Sequence, residues 1–178
     1  ILDFTVFKPT AIASSDILNK VTEEKELSDF EKGLYDRLVD RFDIICKTAF
    51  ENQIKILVDA EESWFQGAID DIVLNMMIKY NKHSTVVFNT SQMYRHDRLN
   101  YLKQLKMLSI EKSFHVGIKL VRGAYIEKEN KRAKKHNYKS PICESKDATD
   151  DNFNEGAKFI LSNLDNFSLF CGSHNEKS

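Results

Sequence analysis

Gly117-Ile118-Lys119-Leu120-Val121-Arg122-Gly123-Ala124-Tyr125 is the stretch on which the reading of the fold turns. Its first half is β-rich, and it carries two cations up to a Gly-Ala turn. A charge-rich, helix-forming segment follows. A buried strand seldom carries cations unless an anion waits at its end, because an unpaired charge is costly to bury. Taken with Val58-Asp59-Ala60-Glu61-Glu62-Ser63-Trp64 and Ser173-His174-Asn175-Glu176, it points to an anionic ligand at one end of an α/β sheet.

Working outward, short β-rich runs alternate with longer helical patterns. Strands are expected at roughly 3–8, 54–59, 85–90, 115–122 and 167–171. Ser28-x-x-Glu31 forms a capping box that opens a long helix, whose buried face is read at Leu34, Leu38, Phe42, Ile45 and Ala49. Phe65, Ile69, Ile72, Met76 and Tyr80 mark a second helix, and Leu99, Leu102, Leu105 and Leu108 a third. Phe153, Ala157, Ile160, Leu161 and Leu164 mark another before the last strand. Strict alternation of strand and helix implies a parallel sheet with right-handed crossovers. An open doubly wound sheet and a closed (β/α)8 barrel both fit it. The GxGxxG turn of a dinucleotide-binding sheet is absent. Polar residues instead end every strand: Lys8, Asp59, Asn89 to Gln92, Lys119 to Arg122, and Ser173 to Asn175. A site assembled from many strand ends is the signature of a (β/α)8 TIM-type barrel. About five parallel strands do not close one, so residues 1–178 are expected to be an incomplete portion of a single barrel domain.

The bulk properties narrow the function. With 178 residues, 42% hydrophobic and 30% charged, the chain suits one domain with a sizeable core. A net charge of −1 argues against electrostatic capture of nucleic acid or of an anionic membrane. Cys46, Cys143 and Cys171 are widely spaced and form no CxxC pair, which favours a reducing compartment and argues against a thiolate zinc site. His83, His96, His115 and His136 lack ligand spacing, so no metal is expected. No apolar run approaches the roughly 18 residues of a membrane span. The cations from Lys128 to Lys139 follow Glu127 and Glu129, a distribution that offsets a helix dipole and describes a solvated outer face.

Phe7-Lys8-Pro9-Thr10-Ala11, Val58-Asp59-Ala60-Glu61-Glu62-Ser63, Asn89-Thr90-Ser91-Gln92-Met93-Tyr94, Lys119 to Tyr125 and Ser173-His174-Asn175-Glu176 resemble, in order and spacing, the motifs of proline dehydrogenase. The resemblance covers nearly the whole chain. It implies a flavin-dependent (β/α)8 barrel that oxidises L-proline to Δ1-pyrroline-5-carboxylate by hydride transfer to FAD. It also implies quinone as electron acceptor, peripheral membrane association, and a cytoplasmic location, mitochondrial in a eukaryote. Lys8 would then pair with the substrate carboxylate. Asp59 shares side-chain parity with Leu57 and Lys119 with Val121, so both are expected to point inward, and the resemblance implies that both are catalytic residues. Lys8 and Lys119 are the partners expected for Asp59, and Glu61 is expected to orient a cation. The cofactor would be held by Ala60, by Gln92 (with Asn89 as the alternative at the flavin's pyrimidine edge), and by Arg122, Gly123, Ala124, His174 and Asn175. Many bacterial members carry arginine where this chain has Lys119. The family also has a strand before the Lys8 strand, further strands after the His-Asn strand, and a last helix with paired arginines. Their omission leads to the expectation that this piece alone is inactive. Two other readings fit the residues: a Schiff-base lyase with Lys119 or Lys8 as nucleophile, and a non-catalytic module that binds anions at the Lys119-to-Arg122 turn.

Overall fold

The computed structural model describes residues 3–175. Glu176 of the last motif lies outside them. Five strands, β1 (Phe4–Phe7), β2 (Lys55–Val58), β3 (Val87–Gln92), β4 (Val116–Val121) and β5 (Phe167–Gly172), form one sheet in chain order, all neighbours parallel. The helices are α1 (Ser15–Thr22), α2 (Asp29–Glu51), α3 (Ser63–Tyr80), α4 (Arg98–Lys112), α5 (Ile126–His136) and α6 (Lys146–Leu161), with a 3-10 turn at Pro9–Ala11. Among the described residues, β1 and β5 are the sheet's edges and do not pair with each other. No described helix is long and apolar enough to cross a membrane.

The period of two along each strand sorts side chains between two environments. Ile56 and Val58 of β2, Val87 of β3, and Val116, Ile118 and Leu120 of β4 join the core against the helices. Phe65, Ile69, Ile72, Val73, Met76 and Met77 of α3 supply much of the other wall. Leu38, Phe42, Cys46 and Ala49 are the buried face of α2, while Leu34 and Ile45 are only half-buried. Burial pushes the Cys46 thiol up to about 12, so it behaves as a small apolar residue. Leu161 and Leu164 correct the sequence reading. Each is 57% exposed, because α6 ends at Leu161 and the chain turns away before β5.

The sheet is curled. A flat five-stranded sheet would hold its edge strands about 19 Å apart, four spacings of ~4.8 Å. Yet Phe4 of β1 meets Phe170 of β5 edge-on, with ring centroids 5.1 Å apart, and also touches Phe88 of β3 at 6.4 Å. Rings from three strands therefore meet across the concave side of the sheet. This is the arc of a barrel, open on one side, and it leaves the C-terminal strand ends facing one hollow.

The capping box predicted at Ser28 is formed. Ser28 Oγ accepts from the Glu31 amide at 3.3 Å, and Glu31 accepts from the Ser28 amide at 3.0 Å. Lys20 of α1 donates to the same carboxylate at 2.5 Å and, with the Ser28 contacts, holds Glu31 down at about 2. One acid thus ties α1 to the start of α2.

Candidate active site

A cavity of about 630 Å3 lies over the C-terminal strand ends. Its walls include all ten residues predicted for the site: Lys8, Asp59, Ala60, Gln92, Lys119, Arg122, Gly123, Ala124, His174 and Asn175. Strand register explains the convergence. Phe7 pairs with Val58 and Val58 with Asn89, so Lys8, Asp59 and Thr90, one residue further on, share a level; Thr90 pairs with Lys119. All four lie on the concave face by parity.

Lys119 Nζ donates to Asp59 Oδ1 at 2.8 Å, with both side chains about three-quarters buried. Each neutralises a charge that would otherwise be costly to desolvate. Lys8 is exposed at the rim, 3.5 Å from the Tyr125 hydroxyl. That hydroxyl holds the Lys8 ammonium above its ordinary pKa, with smaller contributions from Glu61 and Asp59. Glu61 accepts from Thr10 N at 2.9 Å and Thr10 Oγ1 at 2.6 Å, and so pins the turn after Lys8.

Of the two candidates on β3, Gln92 reaches the cavity. Asn89 faces the opposite way and donates to Asp70 of α3 at 2.8 Å and to Tyr101 of α4 at 3.0 Å. Gln92 is 2% exposed, and its Oε1 has no hydrogen-bond partner among the described residues. Such an orphan is costly in a finished site, and it fits a ligand that brings an N–H. Gly123 has φ 131°, and a Cβ there would lie 2.6 Å from the buried Tyr94 ring. Only glycine fits, and the backbone of 122–124 stays open to the cavity. Arg122 stacks on Phe153 at 4.3 Å and donates to Asp150 and, at 2.8 Å, to Ser173 Oγ. Lys146 and Arg122 together hold the Asp150 carboxyl below its usual value. The same Ser173 oxygen accepts from the Asn175 amide at 3.1 Å, which steers the chain after β5 along the cavity wall.

The cavity also contains Thr90, Val121, Tyr125, Lys146, Gly172 and Ser173. Tyr125 and Ser173 stood inside the quoted motifs without a role. Lys146 opens α6 beside its cap Ser145, and the sequence carries no sign that this helix start faces the hollow.

Comparison with known proteins fits this geometry. The sequence profile described as Proline dehydrogenase matches residues 4–178. This chain belongs to the proline dehydrogenase family. It is 32% identical over 177 residues to the carbapenem antibiotics biosynthesis protein CarD of Pectobacterium carotovorum subsp. carotovorum, covering 99% of this chain and 46% of that protein. It is 31% identical over 185 residues to mitochondrial proline dehydrogenase 1 of Dictyostelium discoideum, again covering 99% of this chain but 31% of the relative. The chain thus spans less than half the length of these curated relatives. Among solved structures, proline utilization A from Bdellovibrio bacteriovorus, inactivated by N-propargylglycine, superposes with a TM-score of 0.82. The match has 20% identity and covers 96% of this chain and 17% of that one. At that identity the likeness speaks for the fold, the curled parallel sheet of the proline dehydrogenase barrel.

Proposed function

We propose that this chain supplies a site for the oxidation of L-proline to Δ1-pyrroline-5-carboxylate with bound FAD. One observation carries the reading: Lys8, Asp59 and Lys119 line one cavity, in a chain of the proline dehydrogenase family. FAD, when bound, supplies the acceptor for the hydride that leaves the proline ring.

The residues divide the remaining work. Lys8, a compact ammonium at the rim, binds the substrate carboxylate. Asp59 holds Lys119 by its 2.8 Å ion pair and fixes the charge balance around the substrate. The orphan oxygen of Gln92 accepts from the pyrimidine edge of the cofactor, and Lys119 favours its electron-rich form. Ala60 packs beside it. Gly123 and Ala124 let the backbone approach the ribityl and diphosphate portion, with Arg122, His174 and Asn175 around it. In the same reading, electrons pass to quinone while the protein sits peripherally on a membrane. A eukaryotic source would put it in the mitochondrion, as the name of the Dictyostelium relative suggests.

The test is proline-dependent reduction of a dye acceptor by the full-length protein with FAD, with flavin absorbance followed in parallel. Bleaching of the flavin on addition of proline is expected. Flavin that binds and stays oxidised in saturating proline refutes the reading.

A further inference from the structure

Behind the sheet, on the side away from the cavity, lies a buried ion pair that the chemistry above does not use. Arg98 Nη1 donates to Asp70 Oδ2 at 2.8 Å, with the side chains 6% and 9% exposed. The guanidinium also stacks on Tyr101, 4.0 Å from the ring centroid. A buried pair of this kind is often no more stabilising than apolar residues of the same volume. Its partners suggest what it does.

The other Asp70 oxygen, Oδ1, accepts from Gln66 Nε2 at 3.0 Å and Asn89 Nδ2 at 2.8 Å. Gln66 and Asn89 are fully buried, and each passes the contact forward. Gln66 Oε1 accepts from the backbone amide of Glu61 at 2.9 Å, two residues past Asp59. Glu61 in turn holds Thr10, two residues past Lys8. Asn89 Oδ1 accepts from the Thr90 amide at 2.9 Å, and Thr90 Oγ1 donates to Val58 O at 2.7 Å, directly before Asp59. One carboxylate thus stands behind three strand ends, those that carry Lys8, Asp59 and Gln92.

We infer that Asp70 is a positioning residue for the active site, acting through Gln66 and Asn89 without touching substrate or cofactor. This rests on the reading of the cavity as a proline-oxidising site. Every contact on Asp70 is a donor, and a carboxylate offers acceptors alone. An asparagine there would set its own NH2 against the donors of Gln66, Asn89 or Arg98. The relay would loosen, and Asp59 and Lys8 would shift relative to Lys119 and to the cofactor wall.

The test uses Asp70→Asn, Gln66→Leu and the double variant in the full-length protein with FAD, assayed well below the melting temperature. Leu105→Ala, a cavity on the same helix as Arg98 that leaves the relay whole, controls for lost stability. Each relay variant is expected to lose kcat/KM for proline by about 10- to 100-fold, the scale of a misplacement near 1 Å. FAD affinity should stay near wild type, the double variant should be no worse than the poorer single, and Leu105→Ala should keep its turnover. Gln66→Leu, which leaves the Asp70–Arg98 pair intact, keeps the test open if Asp70→Asn does not fold. Relay variants that lose melting temperature but keep wild-type kcat/KM overturn the inference, as does strict additivity in the double variant. If wild type itself does not turn over proline, it is the functional reading that fails. The relay is then judged on a crystal structure of Gln66→Leu, where an unmoved Asp59–Lys119 pair overturns it.

Discussion

Replacing Gly123 by alanine probes the cavity wall where the structure leaves least freedom. At φ 131° a side chain adopts a region populated almost only by glycine, at a cost of about 1–3 kcal/mol. The new Cβ also meets Tyr94 Cγ and Cδ1 at 2.6 Å. That ring is fully buried, so it cannot swing into solvent, and overpacking of this kind costs about 1–3 kcal/mol more. Together the loss is roughly 2–6 kcal/mol of unfolding free energy. Gly33→Ala provides the opposite sign: it lies within α2, and its Cβ would have only Arg37 Nη1 nearby, at 3.7 Å. Removing that glycine should stabilise the helix by about 0.5–1 kcal/mol. Urea denaturation of both variants reads the contrast, and FAD titration of Gly123→Ala should show weakened binding. A Gly123→Ala protein within about 0.5 kcal/mol of wild type, with unchanged FAD affinity, would refute the reasoning.

Three further outcomes are expected. Asp59→Asn removes the charged acceptor of Lys119 and should lower kcat/KM for proline by about 30- to 150-fold, the equivalent of 2–3 kcal/mol, without abolishing flavin binding; wild-type turnover would leave Asp59 a structural role only. Glu31, whose folded pKa is depressed from 4.5 to about 2, contributes stability that is present above pH 4.5 and lost as pH falls toward 2. Acid unfolding of Glu31→Gln should lack that part of the wild-type pH dependence, and identical acid limbs would contradict the assignment. Glu129, fully buried in α5, accepts from the Ser63 amide and hydroxyl at 2.6 Å each and so caps α3, whose own N-cap Glu62 makes no side-chain capping bond. Glu129→Ala should cost about 1–3 kcal/mol by chemical denaturation, and a smaller loss than a surface substitution would argue against the clasp.

Much of this architecture was legible because burial leaves a period in the sequence. The five strands and the faces of α2 and α3 follow from where apolar residues recur. The inward aim of Asp59 and Lys119 follows from parity alone. Parity could not choose between Asn89 and Gln92, since the run Asn89-Thr90-Ser91-Gln92 is polar throughout and its strand end depends on pairing with β4. α1 went unread because a helix from Ser15 to Thr22 is too short to signal itself; it is stabilised by the Ser14 cap and by packing on α3. The Asp70–Arg98 pair and the Arg122–Asp150 pair each join residues 28 positions apart, and nothing local in either segment announces the partner. The resemblance named the residues that face the hollow, whereas those that brace it from behind emerged only from the fold.

The contact between Phe4 and Phe170 bears on how the chain reaches its native state. Each strand pairing joins neighbours in the chain, so the sheet can grow by successive βαβ steps, each closing a modest loop. Bringing the ring of β1 against that of β5 closes the chain from residue 4 to residue 170, and the entropy of doing so is repaid only once the intervening strands are in place. The curl of the sheet, and with it the hollow that holds the charged residues, therefore belongs to the final stage of folding. A chain halted before that stage would own all five strands and six helices of the described residues and still have no site.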